Sequence, residues 1–362
     1  MFRVKASKAS TVIFIRNALF FPSIFDARES RAFCFAKRGR VKAKVKRQKA
    51  KLIVVLAMLV LAGCRGGANS NAANSATSTA PTRVVMDDLD RQVTLPVKVT
   101  RVVSTAPSVT ENIFAVGAGD RLVGVTTFCN YPEQAKEIAK IGDTMTPNME
   151  SIIALKPDVV FVSTASQIEA FMKTLDANGI AVYVTNPTSL EALYSNLEQL
   201  GIIFGTTDAS TKLIADLEGR EHEIWKIVGY PLHRDESLAA HDKRVAAVKV
   251  FVQISKEPLF TIGNGAFLND LIVTAGGRSV TEQVESAFPK LSKETAAALN
   301  PDAIILSESD DNKEPNEVFK NSPAVKNGRI YKVNADLLSR PGPRLVDALE
   351  QIAKDLHPEK FK

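Results

Sequence analysis

The sequence predicts an α/β protein of two similar lobes joined by one long α-helix. Three observations lead there. Asn148–Ser163 reads NMESIIALKPDVVFVS and Ser292–Ser307, 144 positions later, reads SKETAAALNPDAIILS, with six of sixteen positions identical in a gapless pairing. Around each copy, near-continuous apolar runs rich in Val and Ile alternate with amphipathic stretches that end in Gly or Pro. That is the pattern of parallel strands covered on both faces by helices. Between the two sets lies DASTKLIADLEGREHEIWKIVGY, in which Leu213, Ile214, Leu217, Ile224 and Ile227 recur near helical spacing.

The chain begins differently. Formal charge is +6 over 362 residues, a balance that invites nucleic-acid or membrane-surface readings. The basicity is local: residues 1–51 hold 15 Lys/Arg against 2 acids, which leaves 31 against 38, a balance of −7, in residues 52–362. No nucleic-acid partner is expected. The basic segment precedes an eleven-residue apolar run, Leu52–Ala62, too short to span a bilayer but suited to a signal-peptide core. The run closes in Leu61-Ala62-Gly63-Cys64, which resembles the lipobox of bacterial lipoproteins. That implies a diacylglyceryl thioether on Cys64, cleavage before it, and an extracytoplasmic protein anchored in the periplasm or on the outer face of the cell membrane. Residues 1–63 are therefore read as a leader plus lipoprotein signal peptide. Residues 1–40 show no heptad, repeat or metal spacing and are unusual ahead of a signal peptide, so translation is expected to begin near Val41. Residues 64–82 lack apolar bulk and periodicity and read as a flexible tether with a reach of roughly 20–25 Å. The mature chain, Cys64–Lys362, has 299 residues, enough for two domains.

The first lobe, residues 83–207, opens on RVVMDDLDRQVTLP, two β-rich runs about an Asp-rich turn. RVVST, RLVGVT, DVVFVS and IAVYVT follow as strands, with SVTENIFAVGAG, MESIIALKP, QIEAFMKTLDANG and SLEALYSNLEQLGIIFG as helices. Residues 208–243 form the bridging helix and an exposed linker, PLHRDESLAAHDKR; one helix, in place of a pair of hinge strands, resists large opening. The second lobe, 244–362, repeats the scheme with RVAAVKVFVQI, FLNDLIVTAGG, KETAAALNP, DAIILSES, GRIYKVN and a final helix, RLVDALEQIAKDLHP. Of the three cysteines, Cys34 is removed with the leader and Cys64 is lipidated, so Cys129 has no disulfide partner and the fold rests on its core. Cys129 is read as a packed thiol, with metal or cobalt ligation as the alternative.

Several blocks together resemble, in order, the helical-backbone substrate-binding proteins of ABC importers, whose ligands are cobalamin, iron-siderophores or haem. They are the opening hairpin, VGVTTFCNYPEQA, ALKPDVVFV, EPLFTIGNGAFLNDLIVTAGG, ETAAALNPDAII and SRPGPRLVDALEQIAKDLHP. The likeness covers residues 83–362 and is nearest to cobalamin-binding members. It implies two Rossmann-like lobes with a ligand cleft between them, at the loops after the strand carboxyl ends, where open α/β sheets bind ligands. It also implies a monomer that binds without catalysis or cofactor and partners an ABC permease dimer. Glu150 and Glu294, each seven residues before a proline (Pro157, Pro301), would then meet arginines on that permease. Read from the residues alone, the same glutamates are anions favourably placed in the first turn of a helix. Pro157-Asp158 and Pro301-Asp302 read as helix stops before a strand.

CNYP resembles a loop of cobalamin binders, which puts Tyr131 at the cleft with a ring to stack and a hydroxyl to bond. Phe128, Met145 and Phe260 are further candidates to cover a corrinoid face, with packing inside their own lobe as the competing role. The tryptophans that cobalamin binders place at the cleft are absent: GDTMTPN and VST stand there, and the single Trp225 falls on the bridging helix. A ferric siderophore would call for cleft cations; Arg340 and Arg344 of SRPGPR are the candidates, against a role in starting the last helix. Haem would want an axial His or Tyr, yet His222, His233, His241 and His357 fall on the bridge, the linker and the C-terminus. The chain has no GxSxG, GxxxxGK(S/T), HExxH or paired Cys ligands, so no catalytic or metal residues are assigned. The glycines of TIGNGAF are read as shaping a cleft loop. The expected function is corrinoid capture for an importer, with ferric-siderophore or haem binding next and a cell-envelope α/β enzyme last.

Overall fold

The structure, a computed structural model, describes residues 81–164, 168–229 and 247–362. The leader, Cys64, the tether up to residue 80, and the linker with His233 and His241 lie outside the described residues. β1 (Thr82–Met86) and β2 (Gln92–Pro96) form the expected antiparallel hairpin. Its turn is held by Asp87, whose Oδ1 accepts from the amides of Leu89 (3.1 Å) and Arg91 (3.0 Å), a local carboxylate turn of the kind that favours Asp.

The first lobe runs β3 (Val102–Ser104), α1 (Pro107–Ala115), β4 (Leu122–Val125), α2 (Met149–Ala154), β5 (Val159–Ser163), α3 (Ile168–Ala177), β6 (Ala181–Thr185) and α4 (Leu190–Phe204). After α5 (Thr207–Val228), the second runs β7 (Val248–Gln253), α6 (Leu268–Thr274), β8 (Gly277–Ser279), α7 (Lys293–Leu299), β9 (Ala303–Glu308), α8 (Pro323–Lys326), β10 (Ile330–Asn334), α9 (Ala335–Ser339) and α10 (Leu345–Leu356). The sheets are wholly parallel, in the orders β4-β3-β5-β6 and β8-β7-β9-β10. Each lobe thus places its second strand outside its first and its third on the other side. The two lobes share one topology, and in each the chain reverses direction beside the first strand, the switch point at which such sheets bind ligands.

The repeated phrase is the same joint built twice. Asn148 and Ser292 cap α2 and α7 by accepting from the amides of Ser151 (2.9 Å) and Thr295 (3.1 Å). Lys156 and Asn300, before the prolines, take matching left-handed backbones, φ 47° and 45°. The aspartates then pin the joint to the start of the lobe's first strand. Asp158 Oδ2 accepts from Thr100 N (2.7 Å) and Arg101 N (2.9 Å), and Asp302 Oδ2 from Lys249 N (3.2 Å). Pro-Asp is therefore a clasp as well as a stop.

β3, most of β5 and β9 are buried on both faces, as a helix-covered parallel sheet requires. Phe161 packs against Tyr183 (5.0 Å) and Phe204 (5.7 Å), and Phe251 against Phe319 (4.5 Å). α5 is the long bridge, 22 residues or about 33 Å. Leu217 and Ile224 are buried as the periodicity predicts, but Ile227 is exposed and Val228 takes its place in the core. α5 packs on α4 of the first lobe and α10 of the second, and Arg220 holds Asp347 (2.6 Å) and Glu350 (2.9 Å) on α10. One apolar cluster runs from Val109 and Ile113 through Leu217 to Leu345 and Leu349. The lobes share a core, which limits how far they can part.

Candidate ligand cleft

A cavity of about 510 Å³ opens between the lobes, within the usual size range of small-molecule sites. Its walls come from the carboxyl ends of the strands. Pro107 and Asn112 follow β3, Phe128 follows β4, Thr164 follows β5, and Asn186 follows β6; across the cleft, Gly265 and Phe267 follow β7, Phe288 follows β8, and Asp336 and Arg340 follow β10. The TIGNGAF loop does shape this wall. Gly263 has to be glycine, because a Cβ there would stand 2.4 Å from the carbonyl oxygen of Ser286 and 2.6 Å from that of Val284.

Two phenylalanines dominate the surface. Phe128 is 58% exposed and Phe288 47%, and each sits on the loop after the second strand of its lobe. The rest of the wall mixes hydroxyl and amide groups, among them Ser108, Thr164, Thr185 and Asn186, with apolar Pro107, Pro187, Ala266, Phe267 and Pro341. Asn112 is buried, its Nδ2 donating to Pro341 O (3.2 Å), and its Oδ1 has no hydrogen-bond partner among the described residues. A buried acceptor in that state is costly unless something donates to it.

Charge at the cleft is balanced. Among the described lining residues only Asp336 and Arg340 are charged, and they pair at 2.7 Å. Arg340 is 9% exposed and also donates to Glu111 Oε1 (2.8 Å) and Asn130 Oδ1 (2.7 Å). Arg344, just before α10, grips both oxygens of the same glutamate, at 2.8 and 2.6 Å. Glu111 lies buried on α1 of the first lobe and the arginines belong to the second. The SRPGPR arginines therefore do more than start a helix: they cross the lobes.

Tyr131 is exposed and does not line the cavity; its ring lies under Arg344, 4.0 Å from guanidinium carbon to centroid. Met145 is exposed in a turn closed by Asp143, which accepts from its amide (2.7 Å), and it is the neighbouring Thr144 that lines the cavity. Phe260 is half-buried, its backbone bridged to Ser255 and Lys290, and it is not among the described lining residues. Glu150 and Glu294 are exposed on the first turns of α2 and α7. The Glu294 carboxyl is held below the usual carboxylate range by its own amide and the Ser292 hydroxyl. Cys129 is buried with its Sγ 3.2 Å from Thr110 Oγ1 and 3.1 Å from Thr126 Oγ1, a packed thiol. His357 is buried against Gly276 O (3.1 Å), and no cluster of three His, Cys, Asp or Glu able to hold a metal occurs among the described residues. No helix among them is long and apolar enough to cross a membrane.

Residues 102–337 match the family described as periplasmic binding protein. The chain belongs to that family. It is an extracytoplasmic substrate-binding protein and not an enzyme. Among its relatives, the ABC transporter substrate-binding lipoprotein YvrC of Bacillus subtilis (strain 168) is 29% identical over 316 residues, covering 85% of this chain and 96% of that protein. The solved periplasmic vitamin B12-binding protein BtuF of Vibrio cholerae matches with a TM-score of 0.61 and 25% identity, over 74% of this chain and all of that one. A periplasmic heme-binding protein from Pseudomonas aeruginosa matches with a TM-score of 0.61 and 26% identity, over 72% of this chain and 93% of that one.

Within this binding protein, the cavity-lining residues missed from the sequence are Phe288, Phe267 and Asn112, and the ion-pair residue missed behind the wall is Glu111. Phe288 carried one usable signal, an aromatic before a proline in a loop that no period explains. Glu111 carried none, because its partners are 229 and 233 positions away.

Proposed function

We propose that the protein is the lipid-anchored receptor of an ABC importer and that its cleft takes a corrinoid. The observation that carries the ligand is the make-up of the cavity: Phe128 and Phe288 stand exposed on opposite lobes, and the only charges among the described lining residues cancel each other. A corrinoid presents a broad, largely uncharged face fringed with amides. Two phenylalanine rings supply apolar area with little side-chain entropy to lose. The Ser, Thr and Asn groups, among them Ser108, Thr164 and Asn186, supply partners for the amides. Haem is the competing ligand, because the heme-binding relative is as similar in fold. Against it, no His or Tyr is among the described lining residues to serve as axial ligand. A ferric siderophore would look for cations that are already paired.

The lipid anchor rests on Cys64 after Leu61-Ala62-Gly63. Delivery rests on Glu150 and Glu294, exposed at topologically equivalent positions of the two lobes. Two carboxylates so related can engage two related permease subunits at once, setting register and encounter rate. The test of the ligand is equilibrium dialysis of the purified chain against cyanocobalamin and against hemin. Retention of cyanocobalamin at micromolar concentration is expected; retention of hemin alone would overturn the corrinoid assignment.

A further inference from the structure

The two arginines beside the cleft are not available to a ligand, and one residue outside the cavity wall is the reason. Glu111 is buried on α1, 3% exposed, and accepts from Arg340 Nη1 at 2.8 Å, from Arg344 Nε at 2.8 Å and from Arg344 Nη2 at 2.6 Å. Asp336 takes the remaining charge of Arg340 at 2.7 Å. The group of four, two carboxylates and two guanidinia, sums to zero, and Arg340 and Asp336 are its only members in the wall. Without Glu111 the same group would carry one unbalanced positive charge, on Arg340 in the wall and Arg344 just behind it, with Asp336 left as the single carboxylate. Low-dielectric walls there would focus its field on the ligand.

We propose that Glu111 is a specificity-determining residue: by neutralising Arg340 and Arg344 it closes the cleft to anionic ligands. The inference rests on the reading of the cleft as a corrinoid site. It differs from a purely structural role, in which Glu111 merely latches α1 to the segment before α10. A latch, once cut, loosens binding of every ligand. A charge filter, once cut, creates affinity for a ligand class that the native protein rejects.

The test titrates the full chain and its Glu111→Gln variant with a trianionic ferric tris-catecholate and with cyanocobalamin. The filter predicts that Glu111→Gln gains at least about tenfold in affinity for the tris-catecholate. The gain is lost at high salt, and cyanocobalamin affinity changes by less than about threefold. Glu111→Asp, which restores the charge, shows no gain. A folded Glu111→Gln that gains nothing for the anion, or that loses both ligands in parallel, overturns the proposal. Should that variant fail to fold, Asp336→Asn removes the partner at the cavity wall and leaves Glu111 to balance two arginines alone. A severalfold gain for the anion is then expected, and no gain contradicts the charge balance. Wild-type titration separates the two readings: a wild type that binds the anion and not cyanocobalamin refutes the corrinoid site itself, whereas corrinoid binding with no anion gain in the variants refutes only the filter.

Discussion

Arg344, at the start of α10, lies over the ring of Tyr131 from the other lobe, its guanidinium carbon 4.0 Å from the ring centroid. The contact joins the CNYP loop to the SRPGPR segment and stacks on the Glu111 ion pairs. It gives Tyr131 a structural partner where the sequence suggested a ligand.

The first prediction concerns that stack. Tyr131→Phe keeps the ring and is expected to leave stability unchanged, whereas Tyr131→Ala removes it and costs roughly 0.5–1 kcal/mol. Urea unfolding of the two variants decides the point. Equal midpoints for Phe and Ala would show that the stack contributes nothing.

The second concerns the two exposed rings. Phe128→Ala and Phe288→Ala remove surface side chains and are expected to alter stability by no more than about 0.5 kcal/mol. Each is expected to weaken cyanocobalamin binding by about 1–2 kcal/mol, roughly tenfold. Calorimetric titration beside urea unfolding separates the effects. A ligand affinity indifferent to both substitutions would remove the rings from the site.

A third prediction is a pH dependence. Burial lowers the pKa of His357 below its ordinary 6.5, outweighing the opposing bond to Gly276 O. The folded state binds the proton less readily than the unfolded chain, so the contribution of His357 is full above pH 6.5 and is lost as pH falls through the lowered value. The urea midpoint is expected to drop between about pH 7.5 and pH 5. His357→Gln, which keeps a donor for Gly276 O, flattens that part of the curve. An unchanged slope in the variant would place the titration elsewhere.

Docking gives the fourth. The double variant Glu150→Ala/Glu294→Ala alters two exposed first-turn residues, so ligand affinity in solution is expected to stay within about twofold. Uptake by cells that carry the cognate permease is expected to fall to background. Loss of ligand affinity in parallel with uptake would sink the docking role.

Much of this was legible in the sequence, for a physical reason. The alternation of apolar runs with amphipathic stretches reports burial element by element, and the elements are local. The repeated phrase reported more, because its cap, left-handed residue, proline and aspartate all lie within sixteen residues. The site was read less well. Phe128 and Arg340 line the cavity, but Tyr131, Met145 and Phe260 do not. A loop aromatic says nothing about the direction in which the loop turns, and Met145 is exposed in a turn that Asp143 closes through its amide. The pairing of Glu111 with Arg340 and Arg344 spans most of the described chain and follows no spacing rule. Only the folding of α1 onto α4, of α10 onto α5, and of all of them into a shared core brings those charges together.

The most direct test of the account is calorimetric titration of the wild-type chain with cyanocobalamin and with a trianionic ferric tris-catecholate, at low and at high salt. A neutral cleft predicts cyanocobalamin binding that changes little from about 0.05 to 0.5 M salt, and no heat from the ferric complex. Binding of the ferric complex with strong weakening by salt would contradict it and would place unpaired cations in the cleft.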